Sequence, residues 1–217
     1  MAYIKRLAMP KTWPLARKGS VYVAKPLPGR KLQLSLPLNI AIKLLDYAKT
    51  SREIKFILNS GKVKVNNKVV KEPRLAISLF DVISFPQIKK YFRVMIKNKK
   101  LFLHEIREEE TKIKPAKVIN SITLKGSKRQ INLDDGRNFL SAEKYSVGNT
   151  VIFNLESKKV DSQLKLEKGN LAYLLSGKHL GRVAKIVDID AGSIICELDS
   201  EKINVLKKHV FIIGKDK

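Results

Sequence analysis

The sequence predicts an α+β fold that is mostly β. Residues 38–59 contain two short stretches whose apolar residues recur with the 3.6-residue period of an amphipathic helix. A tight hairpin follows them, and from about residue 88 to 165 apolar and polar residues alternate in short runs. The first 37 residues contain five prolines, each of which removes a backbone donor and breaks regular structure. We therefore expect a basic N-terminal arm, a small helical module and a β-rich remainder.

The charge of the chain limits its partners. Its 217 residues carry a formal net charge of +24, which favours a polyanion, either a nucleic acid or an anionic membrane surface. Residues 1–45 hold nine basic and no acidic side chains, and residues 46–100 hold fourteen basic and four acidic ones. The last two segments, 101–165 and 166–217, carry only +3 and +2. The binding surface is therefore expected in the N-terminal half.

Membrane insertion and disulfide chemistry are not expected. No apolar run approaches the roughly 20 residues that a membrane-spanning helix needs, and the N-terminus lacks the pattern of a signal peptide. The single cysteine, Cys196, cannot form an internal disulfide, which fits a reducing cytoplasm. Its neighbours, SIICEL, predict a buried strand position rather than a nucleophile. No spacing of Cys and His residues predicts a metal or another cofactor.

The arm has the composition of a segment that binds phosphates. Its candidate RNA contacts are Lys5, Arg6, Lys11, Arg17, Lys18, Arg30 and Lys31. Lysine and arginine along an extended chain neutralise phosphates and release counterions. Trp13 lies among these basic residues, where its indole either stacks on a base or packs against its own protein. Both interpretations of Trp13 are open at this point.

Residues 38–85 are predicted to fold as two helices, a hairpin and a closing strand. Thr50 and Glu53 have the spacing of a capping box, and Gly61 should end the second helix in a left-handed conformation. Asn66-Asn67 is a turn that tolerates positive φ. The candidate RNA contacts of this stretch are Lys43, Ser51, Arg52, Lys55, Lys62, Lys64, Asn66 and Lys68. A basic helix face is, however, often only a solvated face.

A resemblance to a known module favours the RNA-binding interpretation. The stretch SREIKFILNSGKVKVNNKVV, continued by LFDVISF, resembles the αL-type RNA-binding module of ribosomal proteins and RNA-modifying enzymes. The pattern is met at Ser51, Arg52, Gly61, Val63, Val65, Asn66, Asp81 and Ile83. The resemblance implies that the outer face of the helix and hairpin binds RNA.

The arm extends the resemblance to a whole family. Its residues KRLAMPKTWPLARK, followed by the module, resemble the start of small-subunit ribosomal protein four of the archaeal and eukaryotic type. The family pattern is met at Lys5, Arg6, Leu7, Ala8, Pro10, Lys11 and Trp13. The chain departs from the family at Arg30-Lys31 after Pro28-Gly29, where the family has Pro-His, and at Lys43, where it tends to have Arg. A third departure is Asn66-Asn67, where Asp-Gly is usual, although both pairs suit a type I′ turn. The end of the chain soon after FIIG resembles the archaeal members.

The segment from 96 to 165 is predicted to be a small antiparallel β domain. Runs such as KVINSITL, QINL and TVIFNL alternate, and the turn-forming stretches KGSKR, DDGRN and SVGN separate them. Arg137 in DDGRN is a further candidate RNA contact, although Asp-Gly is first of all a turn signal. Glu108, Glu109 and Glu110 are consecutive carboxylates that point in different directions, so we expect a solvated helix start rather than a metal or acid/base site.

The last segment resembles a KOW motif, a pattern found in small SH3-like barrels. The match consists of Gly169, Gly177, Lys178, His179, Gly181, Val183 and Ile186. The glycines admit unusual backbone angles, so the loop is expected to present a compact cationic tip. Its candidate RNA contacts are Lys178, His179 and Arg182.

These resemblances imply a basic arm (1–37), an αL-type RNA-binding module (38–95), a central β domain (96–165) and a KOW domain (166–217). The implied function is structural: the chain stabilises the small ribosomal subunit in the cytoplasm, with small-subunit rRNA and neighbouring ribosomal proteins as partners. One alternative is a free-standing RNA-binding factor, either ribosome-associated or of the transcription-elongation type.

The other alternative is an RNA-modifying enzyme that carries the same module. The Gly-Arg-Leu-Asp context of a pseudouridine synthase nucleophile does not occur, and neither a phosphate-cradling glycine loop nor a nucleophile elbow is present. We therefore expect no catalytic residues and no small-molecule substrate.

Overall fold

A computed structural model describes residues 2–124, 128–190, 192–199 and 201–215, and the chain forms two compact units, Met1–Lys114 and Pro115–Lys217. In the order of the chain, the first unit contains β1 (Tyr3–Lys5), β2 (Tyr22–Ala24), β3 (Ser35–Pro37), α1 (Leu38–Leu44), α2 (Ser51–Asn59), β4 (Lys64–Val65), β5 (Lys68–Val69), β6 (Ala76–Ser78), β7 (Val82–Phe85), β8 (Lys90–Lys97) and β9 (Lys100–Glu105). The following strands are β10 (Ile113–Thr123), β11 (Arg129–Leu133), β12 (Asn138–Ser141), β13 (Thr150–Asn154), β14 (Val160–Leu164), β15 (Asn170–Leu174), β16 (Val183–Ile189), β17 (Ser193–Leu198), β18 (Glu201–Leu206) and β19 (Val210–Lys215). The prediction of a mostly β fold with two helices is confirmed.

The first unit is built on one antiparallel sheet with two smaller strand pairs. The sheet has the order β5-β4-β7-β8-β9, while β1 pairs with β2 and β3 pairs with β6. Leu38, Ile42, Ile54, Leu58 and Ile83 are completely buried in this unit. The apolar faces of both helices therefore belong to its core, which leaves their polar faces for solvent or a ligand.

The second helix begins and ends where the sequence predicts. The hydroxyl of Thr50 accepts a hydrogen bond from the backbone N–H of Glu53 at 3.3 Å, and the Glu53 carboxylate accepts one from the N–H of Thr50 at 3.2 Å. This reciprocal pair is the predicted capping box. At the other end Gly61 has φ of +70°, a left-handed conformation that costs glycine no clash of a Cβ atom.

The hairpin turn is also confirmed. Asn66 and Asn67 have φ values of 49° and 64°, as the two central residues of a type I′ turn require. The turn joins β4 to β5, and β7 pairs with β4 from behind as predicted.

The first helix is shorter than its periodicity predicts. The pattern extends to Ala48, but α1 ends at Leu44, and Asp46 has a left-handed φ of 56°. The turn allows the Tyr47 ring to pack edge-on against Phe85, with ring centroids 4.7 Å apart. An aromatic contact of this kind adds to the free energy of burial, which favours the turn over a further helical turn.

The N-terminal arm has more regular structure than its prolines predict. β1 and β2 form an antiparallel pair, and Met9, Trp13 and Val23 are buried. The expectation that the prolines break regular structure throughout the arm is therefore wrong for these residues. Proline has no backbone N–H and so reduces the number of regular hydrogen bonds in the arm. The free energy gained by burying these apolar side chains outweighs that loss.

The predicted boundary between residues 95 and 96 falls inside β8. This strand pairs with β7 on one side and with β9 on the other, so residues on both sides of the boundary share one sheet. The turn between β8 and β9 is formed by Asn98 and Lys99, whose φ values of 50° and 63° match another type I′ turn. A hydrogen-bonded hairpin cannot be divided between two domains.

The second unit contains two five-stranded sheets. Their strand orders are β12-β11-β10-β13-β14 and β18-β17-β16-β15-β19. Strands β12 and β14 are additional to the predicted runs, and residues 125–127 of the predicted turn KGSKR lie outside the described residues. Cys196 is completely buried on β17, as predicted, and burial raises the pKa of its thiol.

No described helix is long and apolar enough to cross a membrane. Nor does any group of three or more His, Cys, Asp or Glu side chains in the described ranges have the geometry to hold a metal ion.

Candidate nucleic-acid interface

A groove of about 720 Å³ lies in the first unit, between the β1–β2 pair and the two helices. Four of the residues predicted to contact RNA line it: Arg6 from the arm, Lys43 from α1, and Ser51 and Lys55 from α2. The structure thus brings the arm and the helical module together around one concave surface. Three cations and a hydroxyl in a groove suit the phosphates and ribose hydroxyls of RNA.

The position of α2 explains which of its side chains face the groove. Ile54 and Leu58 are completely buried and anchor one side of the helix. Ser51 and Lys55 are one turn apart and line the groove, whereas the exposed Arg52 lies outside its lining. The apolar spacing of the sequence therefore determines where its cations point.

The acidic residue of α2 is held at the helix N-terminus. The Glu53 carboxylate accepts a hydrogen bond from the backbone N–H of Lys49 at 2.8 Å and another from Thr50. These hydrogen bonds, that of Lys49 first, lower the pKa of Glu53 below its ordinary value of 4.5. The negative charge of Glu53 therefore stabilises the N-terminus of α2.

Two arginines of the arm hold their own loop together. Arg6 donates from Nε to the carbonyl oxygen of Ala16 at 2.5 Å and from Nη1 to the hydroxyl of Ser20 at 2.6 Å. Arg17 donates to the carbonyl oxygens of Leu7 and Met9 at 3.2 and 3.3 Å. Their guanidinium groups thus satisfy carbonyl groups that a strand or helix would otherwise pair.

The other predicted cations of the first unit differ in exposure. The exposed ones are Lys5, Lys11, Lys18, Lys31, Lys43, Arg52, Lys55, Lys62 and Lys68. Arg30 and Lys64 are half-buried. Most of the predicted cationic surface is therefore open to a ligand.

The structure contradicts base stacking by Trp13. Its side chain is only 1% exposed, so neither face of the indole is available to a nucleobase. The neighbouring carbonyl oxygen of Thr12 accepts a hydrogen bond from the N–H of Leu101 at 2.7 Å, which fixes this part of the arm to β9. Of the two interpretations of Trp13, packing against its own protein is correct.

Asn66 is also a structural residue rather than an RNA contact. It is 9% exposed, and its Nδ2 donates to Oδ1 of Asp81 at 2.8 Å. Its Oδ1 accepts a hydrogen bond from the backbone N–H of Val82 at 3.0 Å. Both ends of the amide are therefore used inside the protein, where they tie the hairpin turn to β7.

In the second unit, Arg137 is partly engaged with its own protein. Its Nε lies 3.3 Å from Oδ2 of Asp135, and its guanidinium carbon lies 5.3 Å from the centre of the Phe153 ring. An ion pair and a cation–π contact both orient this half-buried side chain. Its prediction as an RNA contact has less support than those of the groove.

The predicted loop between β15 and β16 has the expected backbone. Gly177 and Gly181 have φ values of +83° and +84°, which favour glycine. Lys178 is exposed and His179 is half-buried. Arg182 is exposed and forms an ion pair with Asp199 at 2.9 Å.

The groove also contains residues that the sequence patterns do not indicate. Tyr3 and Tyr22 line it and are 62% and 61% exposed. Arg74 lines it as well, with its Nε 3.4 Å from the Glu72 carboxylate. The two tyrosines lie on strands of only three residues, too short for an alternating pattern to be recognised. The one feature of the sequence that points to these tyrosines is the presence of aromatic residues among the basic residues of the arm.

Comparison with known proteins agrees with this architecture. Residues 3–29 match the model of the RS4NT (NUC023) domain, and residues 88–160 match the model of the ribosomal family S4e. The small ribosomal subunit protein eS4 of Methanosphaera stadtmanae is 34% identical over 99% of this chain and 93% of its own length. The eS4 protein of Nanoarchaeum equitans is 38% identical over 86% of this chain and 83% of its own.

A solved structure gives the same result. The crystal structure of the 30S ribosomal protein S4e from Thermoplasma acidophilum is similar with a TM-score of 0.72 and 30% sequence identity. The similarity covers 84% of this chain and 95% of that one. Because sequence identity extends over nearly the full length of its relatives, the chain belongs to the ribosomal protein family S4e.

Proposed function

We propose that this chain is a structural constituent of the small ribosomal subunit and that it binds and stabilises folded rRNA there. Its relatives over nearly their whole length are named small ribosomal subunit protein eS4. Neighbouring ribosomal proteins are further partners, and the cytoplasmic ribosome is its location. This function requires a surface for RNA and no catalytic centre.

The groove of the first unit is the observation that carries the proposal. Arg6, Lys43, Ser51 and Lys55 come from three separate segments of the chain and line one concave surface. Lysine and arginine neutralise phosphates, and a serine hydroxyl can exchange hydrogen bonds with a ribose 2′-hydroxyl. Such contacts recognise the shape of folded RNA and depend little on its base sequence. This suits a protein that stabilises one large RNA.

The finer organisation is part of the proposal. We assign residues 1–37 to a basic arm and 166–217 to a KOW domain of the SH3-like type. Between them, the αL-type RNA-binding module and the central β domain meet after the β8–β9 hairpin, where the two compact units divide between Lys114 and Pro115. The exposed cations of the arm and module bind phosphates around the groove. In the KOW domain, Lys178, His179 and Arg182 form a second, smaller set of RNA contacts.

The two alternative functions have less support. The matched relatives are named as ribosomal proteins, which favours a ribosomal constituent over a free-standing factor. An RNA-modifying enzyme needs a nucleophile or general base in its site. Among the described residues that line the groove, Glu72 alone is acidic, and its carboxylate is paired with Arg74 at 3.4 Å. We therefore assign the groove to binding alone.

Sedimentation tests the structural role. The full-length protein, mixed with small ribosomal subunits from an archaeal relative that have been stripped of their own eS4, should migrate with them through a sucrose gradient in high salt. Release at moderate salt would instead indicate a loosely associated factor and contradict the proposal. Bovine serum albumin brought to the same concentration controls for trapping in the gradient.

A further inference from the structure

The β1–β2 pair presents an aromatic and basic surface. In its register Tyr3 is opposite Ala24 and Lys5 is opposite Tyr22. Side chains alternate between the two faces of a strand, so Tyr3, Lys5, Tyr22 and Ala24 share one face. The other face holds Ile4 and the buried Val23. The tyrosines are therefore displayed by the fold, and the apolar side of the ribbon is used for packing.

The exposure of these tyrosines requires an explanation. Tyr3 and Tyr22 are 62% and 61% exposed, although each has a large apolar ring. They lie at diagonal positions of the ribbon, and both line the groove that also contains Arg6, Lys43 and Lys55. Aromatic rings beside cations on an open β surface are the combination that stacks nucleobases and holds their phosphates.

The size of the groove identifies what can enter it. Its volume of about 720 Å³ is within the range of roughly 300–1,000 Å³ of sites for small ligands. A double helix cannot insert its bases there, because they are stacked and paired inside it. Unpaired nucleotides can enter, with their bases against the rings and their phosphates against the lysines.

The charge of the groove favours the same ligand. Among its described lining residues, Arg6, Lys43, Lys55 and Arg74 are basic and Glu72 is acidic. Glu72 is paired with Arg74, so the remaining cations face the open volume with no acid between them. A neutral or basic protein segment would leave these charges without counterions, whereas an RNA strand supplies one phosphate for each nucleotide.

We propose that the groove is a subsite for unpaired RNA nucleotides, in which Tyr3 and Tyr22 stack on the bases while Lys43 and Lys55 bind the flanking phosphates. The subsite rests on the proposed rRNA-binding function and adds to it a preference for bulges, loops or single strands over continuous duplex. Tyr22 projects from the same face as Lys5, so this lysine is placed to bind the next phosphate along the strand.

Binding of two RNA probes by the full-length protein tests the subsite. One probe is a fully paired RNA duplex, and the other is the same duplex interrupted by an adenosine bulge. The wild-type protein should bind the bulged probe about tenfold more tightly, since each stacked base contributes on that order. The variant with Tyr3→Leu and Tyr22→Leu should lose this preference and keep the duplex affinity.

Matched variants separate stacking from other effects. Tyr3→Phe with Tyr22→Phe keeps both rings and should keep the preference. Leu7→Ala alters another exposed apolar residue of the arm, which does not line the groove, and should also keep it. If the double leucine variant has an altered circular dichroism spectrum, the single Tyr22→Leu variant provides the measurement.

The possible results separate this inference from the proposed function. Equal wild-type affinity for both probes, or a preference that survives loss of both rings, overturns the subsite and leaves the tyrosines to a protein neighbour. Failure of the wild-type protein to bind either probe contradicts the proposed function itself.

Discussion

The ammonium nitrogen of Lys114 lies 2.5 Å from Oδ1 of Asp81, and the two side chains are only 1% and 2% exposed. Asp81 also accepts hydrogen bonds from the Nδ2 of Asn66 at 2.8 Å and from the backbone N–H of Ser78 at 2.7 Å. The carboxylate thus connects Asn66 of the hairpin turn, Ser78 at the end of β6 and Lys114, the last residue of the first unit. A buried charge with so many partners is compensated inside the protein.

Lys114→Met should destabilise the first unit strongly. The substitution keeps an apolar chain of similar length but leaves the Asp81 carboxylate buried without this counter-ion, at a cost of about 3–5 kcal/mol in the free energy of unfolding. Urea denaturation measures the change. Adding Asp81→Asn should recover part of the loss, because the buried charge is then removed; a double variant less stable than Lys114→Met would contradict this account.

The capping box of α2 should make stability depend on pH. The pKa of Glu53 is lowered in the folded protein, so its ionised form stabilises the fold above the unfolded pKa, and this contribution is lost as the pH falls through the folded pKa. Glu53→Ala should therefore lower the urea midpoint at neutral pH. At a pH well below 4.5 the two proteins should become similar, and an equal difference at both pH values would exclude the carboxylate as the cause.

Trp13, the only tryptophan of the chain, should report burial rather than RNA binding. Because its side chain is 1% exposed, its fluorescence should be blue-shifted and resistant to quenching by iodide. Addition of RNA should leave the emission nearly unchanged. Strong quenching by an RNA that lacks chromophores other than its bases would restore base stacking as an interpretation.

The same residue should matter for stability. Trp13→Ala removes a large buried side chain and should cost about 3–5 kcal/mol in the free energy of unfolding, measured by urea denaturation. Trp13→Phe, which leaves a smaller cavity, serves as its control and should cost less.

Two local features of the helix and hairpin follow from the sequence, whereas the burial of the arm does not. The capping box at Thr50 and the turn at Asn66 depend on neighbouring residues, so the sequence alone predicts them. Burial of Trp13 depends on β9, and the contact between Thr12 and Leu101 joins segments far apart in the chain. No periodicity in the arm indicates this contact.

Site residues follow the same division. Lys55 was predicted because helical spacing separates an exposed face from a buried one. The sequence motif marks Asn66 as an RNA contact. Its hydrogen bond to Asp81, fifteen residues further along the chain, becomes visible only in the folded protein. Tyr22 was missed because its position on the groove depends on pairing between β1 and β2.

RNA binding should depend steeply on salt. If about eight phosphates are neutralised, the logarithm of the affinity should fall against the logarithm of the salt concentration with a slope of about −6 to −7. A filter-binding titration over a range of potassium chloride concentrations gives this slope. A slope near zero would contradict an interface made by the exposed lysines and arginines.

Reversing two charges on α2 should weaken RNA binding without unfolding the protein. Arg52 and Lys55 are exposed, whereas the buried Ile54 and Leu58 hold the helix in place, so Arg52→Glu with Lys55→Glu should leave the circular dichroism spectrum unchanged. Loss of two phosphate contacts should reduce the steepness of the salt dependence by about 2 and lower the affinity at every salt concentration.

A matched variant controls for net charge in this experiment. Lys97→Glu with Lys100→Glu changes the charge by the same amount at an exposed pair of residues at the ends of β8 and β9, away from the lining of the groove. It should reduce affinity much less than the α2 variant, because long-range charge is screened within about 10 Å at moderate salt. Equal losses in both variants would show that total charge, and not the position of α2 beside the groove, determines binding. Full affinity in the α2 variant would instead assign RNA binding to the arm and leave the helices as a spacer.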